Sequence, residues 1–524
     1  MIDRRRFLQS SALAGAAVLM SKDVFSGSAA DIDLENATVA SLQSAMASGQ
    51  ATAKSIAQGY LARIADIDKK LNSIIELNPD ALAIAERCDA ERKAGKTRGP
   101  LHGIPVLIKD NIDTADKMKT TAGSLALADA PTPKQDAFVV KQLRDAGAVI
   151  LGKTNLSEWA NFRSTKSSSG WSGRGGQTHN PYILDRNPCG SSSGSGAAMA
   201  AGLAAIAVGT ETDGSIICPS ATCGIVGIKP TLGLVSRSGI IPIAHSQDTA
   251  GPMTRTVADA AALLTVLAGA DTNDAITSRA ATEKKDYTQY LVKDGLKGMR
   301  IGVGRQYFGR NVKVDKIIET HLEALKKGGA TLVDVEFPKL RSFDDQELEV
   351  LLYEFKEDLN KYLAARGGQN KTLKDLIAFN ERNADIEMPY FGQEIFIQAE
   401  AKADLNDRAY QIALLQSKIM TQEQGIDAVI AKEKVDAFVA PSGGVAWLTD
   451  LVSGDCGVFE SSSLAAVAGY PNITVPAGYV QGLPAGISFF GKAFSEPTLI
   501  KIAYAFEQMT MARRPPQFLP TYAG

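Results

Sequence analysis

The stretch Pro188–Thr231 reads PCGSSSGSGAAMAAGLAAIAVGTETDGSIICPSATCGIVGIKPT and holds two serine-glycine clusters. The first cluster runs over residues 190–196 and the second over residues 213–215, with a short apolar segment between them. Glycine lets the backbone approach a ligand closely, and serine presents a hydroxyl to that ligand. We therefore expect the chemistry of this chain to lie in these two clusters.

The first cluster matches the GxSxG nucleophile elbow of α/β-hydrolases, with Ser192 as the central serine. That elbow needs a hydrophobic strand directly before it, whereas residues 180–189 form a polar segment that contains proline. It also needs a later acid and histidine, and neither His245 nor His321 has an evident partner in the sequence. The match is therefore interpreted as a coincidence of composition.

A lysine is the alternative base. Lys109 ends the apolar run GIPVLI at 103–108, where removal from water would disfavour its charged form and lower its pKa. A neutral amine within reach of a serine hydroxyl acts as a general base, and Ser–Lys pairs are a known variant of the triad. A lysine at a strand end is more often a surface residue, so both interpretations stay open from these residues alone.

Composition excludes several classes of function. The 524 residues carry a net charge of −2, so no basic face is expected for nucleic acid or an anionic membrane. None of the four histidines forms a ligand-spaced pair, and we expect no metal site. The five cysteines are interpreted as small buried side chains, with a local Cys218–Cys223 bridge as the alternative. No chemistry is assigned to Cys189 or Cys218.

Strand and helix patterns alternate along the chain. Helices are predicted after Thr38 and Thr52, a buried strand over 104–108 and another over 148–151. Residues 299–337 predict a strand–helix–strand unit, residues 342–434 long helices, and three later segments strands: 437–439, 473–475 and 486–490. This alternation predicts an α/β fold with a largely covered sheet. Gly302 and Gly304 lack the third glycine of a dinucleotide fingerprint, so no cofactor is expected.

The first 30 residues have the composition of an export signal. Three arginines at 4–6 precede Phe-Leu, the apolar run 12–20 and small residues that end at Ala30. A basic start, a short apolar run and a small-residue exit are typical of a signal peptide, and paired arginines suggest twin-arginine export. The apolar run is too short to span a bilayer. We expect residues 31–524 to work outside the cytoplasm, without a membrane anchor.

Six motifs identify the chain as resembling the amidase signature family over essentially all of residues 31–524. In chain order these are GIPVLIKDN (103–111), GKTNLSEW (152–159), GWSGRGGQTHNPY (170–182), PCGSSSGSGAA (188–198), GTETDGSIICPS (209–220) and GIVGIKPT (224–231). The resemblance implies one domain with a single large mixed β-sheet, covered by helices on both faces.

The resemblance also implies a Ser–Ser–Lys triad. Matched residue by residue, Ser215 is the nucleophile, Ser191 the bridging serine and Lys109 the base, and Ser191 matches a serine that the family holds in a cis conformation. The N–H groups of the turn Thr212-Asp213-Gly214-Ser215 are the expected oxyanion donors. The reaction implied is formation of an acyl-enzyme on Ser215 and its hydrolysis by water.

One difference from the common family pattern indicates a subgroup of the family. Many family members have two glycines before the nucleophile, whereas this chain has Asp213-Gly214. With PCGSSSGSG and SQDTAGPM (246–253), this resembles the peptide amidase subgroup, which predicts hydrolysis of C-terminal peptide amides and release of ammonia. Aryl, fatty or other small amides are the alternative substrates, an amidotransferase subunit is a further alternative, and a non-catalytic binding protein is the last. The Asp213 carboxylate is expected to point away from the oxyanion.

The remaining site predictions concern the substrate. Ser192 and two residues within family motifs, Asn155 and Gln177, are candidates to order the site, with core hydrogen bonding as the alternative. Trp171, Phe391 and Trp447 are candidates to line a pocket for an apolar acyl group, with packing as the alternative. The expected partner is a small amide or peptide amide, and the expected assembly is a monomer or homodimer.

Overall fold

One sheet of 11 strands forms the centre of the computed structural model, which describes residues 32–456 and 460–522. The predicted signal peptide, residues 1–30, lies outside the described residues. The strands of the chain are β1 (Ile74–Leu77), β2 (Pro105–Lys109), β3 (Val149–Thr154), β4 (Trp171–Ser172), β5 (Gly176–Gln177), β6 (Ile206–Glu211), β7 (Val226–Lys229), β8 (Thr249–Thr254), β9 (Arg300–Gly304), β10 (Thr331–Val335), β11 (Ala437–Pro441), β12 (Asn472–Val480) and β13 (Leu483–Phe490).

The sheet is mixed. Its strand order is β1-β3-β2-β6-β8-β7-β12-β13-β11-β9-β10, and β4 and β5 form a separate two-stranded ribbon. Strand β2 is parallel to both β3 and β6, and β9 is parallel to both β10 and β11, while the other neighbours are antiparallel. The carboxyl ends of β2, β3 and β6 therefore meet at one edge, where polar side chains gather for the site.

The first two helices begin where the sequence predicts them. Thr38 and Thr52 each form a capping box with a serine three residues later, and Gly49 ends the first helix in the left-handed region with φ of 77°. The helices are α1 (Val39–Ser48), α2 (Ala53–Leu71), α3 (Ala81–Lys93), α4 (Phe138–Asp145), α5 (Ser193–Ala200), α6 (Ile217–Thr222), α7 (Val257–Leu267), α8 (Ala280–Glu283), α9 (Val312–Lys327), α10 (Asp344–Arg366), α11 (Leu373–Arg382), α12 (Ala384–Glu387), α13 (Glu394–Glu400), α14 (Arg408–Lys418), α15 (Asp427–Glu433), α16 (Ser463–Ala468) and α17 (Glu496–Thr510).

Helices cover both faces of the sheet, as alternate residues of β11 show. Ala437 and Val439 belong to the largest core cluster, which includes residues of α9 and α17. Phe438 and Ala440 point to the other face and pack with residues of α15 and α16. The α/β prediction and the covered mixed sheet are therefore confirmed. Within the described ranges, no helix has the length and apolar composition that a membrane crossing requires.

Candidate active site

Lys109 lies at the carboxyl end of β2 and is completely buried. Its Nζ donates hydrogen bonds to Ser191 Oγ at 2.8 Å, to Thr210 Oγ1 at 2.9 Å and to the Thr210 carbonyl oxygen at 3.3 Å. Burial lowers the pKa of Lys109 to about 7, with the carboxylates of Glu211 and Asp248 acting in the opposite direction. The lysine is therefore poised to exchange a proton with Ser191 near neutral pH.

Ser191 is held between two segments of the chain. The Gly190–Ser191 peptide bond is cis, as the family resemblance predicts. The Ser191 carbonyl oxygen accepts a hydrogen bond from the Ser157 N–H at 3.1 Å, and α5 begins two residues later at Ser193. The side chain is buried, yet it lines a cavity of about 200 Å³ at the carboxyl edge of the sheet.

Ser215 follows β6 in the turn that leads into α6. The N–H groups of Asp213, Gly214 and Ser215 donate to no acceptor among the residues that the structure describes. Gly214 has a φ of 79°, and a Cβ there would collide with the Glu460 carboxylate, so glycine is required. Three successive unpaired N–H groups beside a serine hydroxyl form the arrangement that an oxyanion needs.

Two cavities meet at this turn. The cavity beside Ser191 has a volume of about 200 Å³, and a second cavity, beside Ser215, has a volume of about 300 Å³. Ala160, Thr212 and Ile243 line both of them. We call the first the Ser191 cavity and the second the Ser215 cavity. An amide seated across Thr212 would place its two halves in different surroundings.

The Asp213 carboxylate is a hydrogen-bond acceptor within the protein. Its Oδ1 accepts from the Ser462 hydroxyl at 2.6 Å, and the same hydroxyl lies 3.2 Å from the Glu460 carboxylate. Burial raises the pKa of Asp213, and burial together with the nearby Asp213 carboxylate holds the pKa of Glu460 well above its usual range. Asp213 also lines the Ser215 cavity. Its bond to Ser462 is a structural contact for a carboxylate that the sequence predicts only to point away from the oxyanion.

The cysteine prediction is wrong at three positions, because Cys189 and Cys218 are bonded to each other and Cys456 is exposed. Cys189 and Cys218 form a disulfide across 29 residues of sequence, whereas Cys223 is free and buried. Cys189 precedes Gly190–Ser191, and Cys218 lies in α6 three residues after Ser215. These two cysteines meet because the chain returns through β6. Neither their spacing in the sequence nor the composition predicts the bond. The disulfide joins the two serine-glycine clusters covalently.

The rejection of the GxSxG elbow is supported by the surroundings of Ser192. Its Oγ donates to the Thr210 carbonyl at 3.0 Å and accepts from the Thr210 N–H at 3.3 Å. The hydroxyl is fully buried, so its predicted role in substrate binding reduces to holding β6 against α5.

His245, which the sequence leaves without a partner, has two. Its Nδ1 lies 2.7 Å from the Asp358 carboxylate and its Nε2 lies 3.3 Å from the Glu354 carboxylate, both on α10. His321 packs on Phe506, and its Nε2 contacts the Ala477 carbonyl. With its two ring nitrogens facing carboxylates, His245 has no nitrogen left for a serine.

Asn155 and Gln177 bond to the loops behind the site. Asn155 Oδ1 accepts from Ser172 Oγ at 2.7 Å, and its Nδ2 donates to Thr178 Oγ1 at 3.0 Å. Gln177 Nε2 donates to the carbonyls of Ser169 and Thr178, both at 2.8 Å. Neither residue lines the Ser191 or the Ser215 cavity. These contacts correspond to the core hydrogen bonding given as the alternative.

The three aromatic candidates differ in whether they line a cavity of the site. Trp447 lines the Ser215 cavity, and its Nε1 donates to the Asp455 carboxylate at 3.2 Å. Trp171 and Phe391 instead pack edge to face with ring centres 5.1 Å apart, and the Arg163 guanidinium lies 4.4 Å from the Phe391 ring centre. Trp171 and Phe391 therefore have the packing role given as their alternative.

Two clusters within the described ranges have the spacing of metal ligands: Cys189, Cys218 and Glu460, and His245, Glu354 and Asp358. In the first cluster the disulfide removes the thiolates that a metal would need. In the second cluster the histidine already bonds to the carboxylates. Neither cluster includes Lys109 or Ser215, although Cys189 and Glu460 line the Ser215 cavity.

Sequence reasoning missed Thr210 and Glu211, the two residues that end β6. Thr210 accepts two of the hydrogen bonds from Lys109, and Glu211 Oε2 accepts the N–H groups of Ile216 at 2.7 Å and Ile217 at 3.0 Å. Glu211 thereby fixes the residues that follow Ser215. Both lie inside the quoted motif GTETDGS, whose polar strand end was the available signal.

The chain is similar to known proteins along most of its length. The sequence model of the amidase family matches residues 55–500. A probable amidase of Arabidopsis thaliana is 42% identical over 93% of this chain and 92% of its own length. One chain of the glutamyl-tRNA(Gln) amidotransferase of Thermoanaerobacter pseudethanolicus is 34% identical over 93% of this chain and 99% of its own length.

A solved structure is similar as well. The native peptide amidase of Stenotrophomonas maltophilia superposes with a TM-score of 0.88 at 51% identity, covering 92% of this chain and 99% of that one. Its likeness extends over the 11-stranded sheet and the helices that flank it. The chain belongs to the amidase family and is an amide-hydrolysing enzyme.

Proposed function

We propose that this enzyme hydrolyses the C-terminal amides of peptides through an acyl-enzyme on Ser215, with Ser191 as proton relay and Lys109 as base. The observation that carries the proposal is the 2.8 Å hydrogen bond between Lys109 Nζ and Ser191 Oγ, made by a lysine whose pKa burial lowers to about 7. At neutral pH a large fraction of such a lysine is an uncharged amine.

Thr210 sets the direction of the free electron pair on that amine. A neutral lysine has two N–H bonds, and Thr210 offers two acceptors, its hydroxyl and its carbonyl oxygen. With both N–H bonds directed to Thr210, the lone pair faces Ser191 Oγ. Lys109 then takes the Ser191 proton while Ser191 takes that of Ser215.

The acylation step follows. Ser215 Oγ attacks the carbonyl carbon of the amide, and the oxyanion accepts hydrogen bonds from the N–H groups at 213–215. When the C–N bond breaks, the proton returns from Lys109 through Ser191 to the departing nitrogen, which leaves as ammonia. Water, activated by the same pair of residues, hydrolyses the ester on Ser215 and releases the carboxylic acid.

Two observations favour a peptide amide over a small aliphatic amide. The Ser215 cavity, at about 300 Å³, lies within the size range of small-molecule sites and is lined in part by Phe162, Leu351 and Trp447. An apolar wall of this kind suits a substituted acyl group. The peptide amidase of Stenotrophomonas maltophilia, similar at 51% identity, supports the same choice.

A substrate panel tests the proposal. Release of the leaving amine is measured with Ser215→Ala as the matched inactive control. The amine is ammonia for an N-protected dipeptide amide, a fatty amide and propionamide, and aniline for an anilide. We expect the dipeptide amide to have the highest kcat/KM. A higher value for the anilide, the fatty amide or propionamide would move the assignment to that substrate, and activity that survives in Ser215→Ala would exclude the nucleophile.

We propose in addition that the enzyme is exported by the twin-arginine route and works as a monomer or homodimer. The support is the sequence of residues 1–30, and the Cys189–Cys218 disulfide is of the kind that persists in an oxidising compartment. Fractionation of cells producing the full chain, with and without Arg5→Lys and Arg6→Lys together, tests the route. Retention of the wild-type chain in the cytoplasm would contradict the export route. Light scattering of the purified enzyme measures its oligomeric state.

A further inference from the structure

Three residues that line the Ser191 cavity have a buried polar atom without a partner among the described residues: Glu211 Oε1, Asn111 Oδ1 and the Ser238 hydroxyl. Glu211 and Asn111 line this cavity and are exposed by 1% and 4%. Within the described residues, Glu211 Oε1 and Asn111 Oδ1 receive no hydrogen bond. A buried acceptor without a donor carries a desolvation cost, so such an atom indicates a ligand group that supplies the donor.

Glu211 is fixed in place by its other oxygen. Oε2 accepts the Ile216 and Ile217 N–H groups, which hold the carboxylate at the start of α6. These two bonds and the nearby Lys229 ammonium stabilise its ionised form, against the burial that raises its pKa. The other oxygen, Oε1, takes no part in these two hydrogen bonds. Glu211 lies four positions before Ser215 in the sequence.

Asn111 is anchored in a comparable way. Its Nδ2 donates to Thr210 Oγ1 at 2.9 Å, the same hydroxyl that accepts from Lys109. By contrast, Asp248 in this cavity is satisfied on both oxygens, by Thr212 Oγ1 and by the N–H groups of residues 243 and 244. Among the carboxylate and amide oxygens of the residues that line this cavity, Glu211 Oε1 and Asn111 Oδ1 are therefore the buried ones without a partner in the described part of the chain.

We propose that Glu211 Oε1 and Asn111 Oδ1 bind the –NH₂ group of the substrate carboxamide, which makes the Ser191 cavity the leaving-group site and the Ser215 cavity the acyl site. The inference rests on the proposed function and adds to it the basis of selectivity for unsubstituted amides. A primary carboxamide has two N–H donors, and this cavity offers two acceptors beside the relay serine that protonates the departing nitrogen.

The same atoms disfavour the product. A free carboxylate has no N–H donor, and its oxygen in the leaving-group site would face the Glu211 carboxylate. A site built around hydrogen bonds to N–H groups rejects an analogue without them more strongly than an apolar pocket rejects a change of size. The arrangement therefore favours amide binding and release of the acid.

The test compares one acyl group with two leaving groups. Full-length wild-type enzyme and Glu211→Gln are assayed on a dipeptide amide and on the methyl ester of the same dipeptide. Glutamine retains an oxygen for the Ile216 and Ile217 N–H groups and replaces the free acceptor by a donor. We expect kcat/KM for the amide to fall about ten- to a hundredfold, and at least tenfold more than for the ester.

A second pair of variants keeps the test decisive if Glu211→Gln does not fold. Asn111→Asp retains an acceptor in the cavity, whereas Asn111→Leu removes it. The ratio of kcat/KM for the amide to kcat/KM for the ester should therefore be higher in Asn111→Asp than in Asn111→Leu. Equal losses on amide and ester in the folded variants would overturn the inference and leave a structural role. Absence of ammonia release by the wild type from every amide would instead contradict the proposed function itself.

Discussion

Two buried lysines at the ends of adjacent parallel strands have different surroundings. Lys109 ends β2, and Lys153 lies on β3, paired with Ile108 in the sheet register. Both are completely buried, and burial lowers the pKa of each. Lys153 donates to the Ile112 carbonyl and to Thr120 Oγ1, and the carboxylates that most oppose the lowering of its pKa are Asp110 and Asp113.

The difference lies in the hydrogen-bond partner. Both lysines bond to a carbonyl and a buried threonine and have carboxylates nearby, but Lys109 also bonds to a serine that lines a cavity. Burial alone therefore does not make a lysine a base. We predict that Lys109 determines the rate of hydrolysis, whereas Lys153 determines the stability of the fold.

Lys109→Met should have the largest effect on rate. Removal of the proposed base is expected to lower kcat/KM for a dipeptide amide about 10³- to 10⁴-fold, because no other amine or imidazole in the described part of the chain bonds to Ser191 Oγ. Circular dichroism should show a folded protein, since Thr210 keeps hydrogen bonds from Ser192 and Asn111. A loss of less than tenfold would remove Lys109 from the mechanism.

Ser191→Ala should have the next largest effect. The variant interrupts proton transfer between Lys109 and Ser215 while the lysine, Thr210 and the oxyanion turn stay in place, so kcat/KM should fall about 10²- to 10³-fold. Ser192→Ala, in the neighbouring buried serine, is the control and should lose far less rate. If Ser192→Ala were the more damaging variant, the GxSxG interpretation would return.

Removal of the Cys189–Cys218 disulfide should have an intermediate effect. The Cys189→Ser, Cys218→Ser double variant unlinks the segment that holds Ser191 from the one that holds Ser215. We expect kcat to fall about tenfold and the free energy of unfolding to fall by about 2–4 kcal/mol. Cys223→Ser changes a free cysteine and serves as the control. Steady-state kinetics and urea denaturation measure the two effects, and unchanged kcat would separate the disulfide from catalysis.

Lys153→Met should have the smallest effect on rate. Two buried carboxylates each lose one of two neighbouring cations, and Thr120 loses a hydrogen-bond donor, so the free energy of unfolding should fall by about 1–3 kcal/mol. The rate per folded molecule should fall less than tenfold, as measured below the unfolding temperature after active-site titration. A rate loss equal to that of Lys109→Met would end the contrast between the two lysines.

Much of the fold is predictable from the sequence because the signals are local. Threonine caps at 38 and 52, the glycine at 49 and the apolar run at 104–108 each act within a few residues, and the structure confirms each element. The order of the 11 strands is not predictable in this way, because β6 pairs with β8 rather than with the next strand. Strand pairing depends on contacts distant in sequence.

Only part of the site is predictable from the sequence, because only some of its features depend on residues that are close in sequence. The residues alone identify the serine-glycine clusters but leave Lys109 between a base and a surface residue, and only the family resemblance selects the base. The Cys189–Cys218 bond, the acceptors on Thr210 and the carboxylate partners of His245 arise from distant segments that the sheet brings together. No local pattern in the sequence encodes those contacts.

Labelling of the nucleophile as a function of pH tests the central claim most directly. The enzyme is treated with a fluorophosphonate from pH 5 to pH 9, and the adduct is located by mass spectrometry of its peptides. The proposed mechanism predicts one adduct, on Ser215. Its rate of formation should rise about tenfold per pH unit below pH 7 and stay constant above pH 7, because the reactive form requires neutral Lys109 with its pKa of about 7. An adduct on Ser191 or Ser192, or a rate that does not change through pH 7, would contradict it.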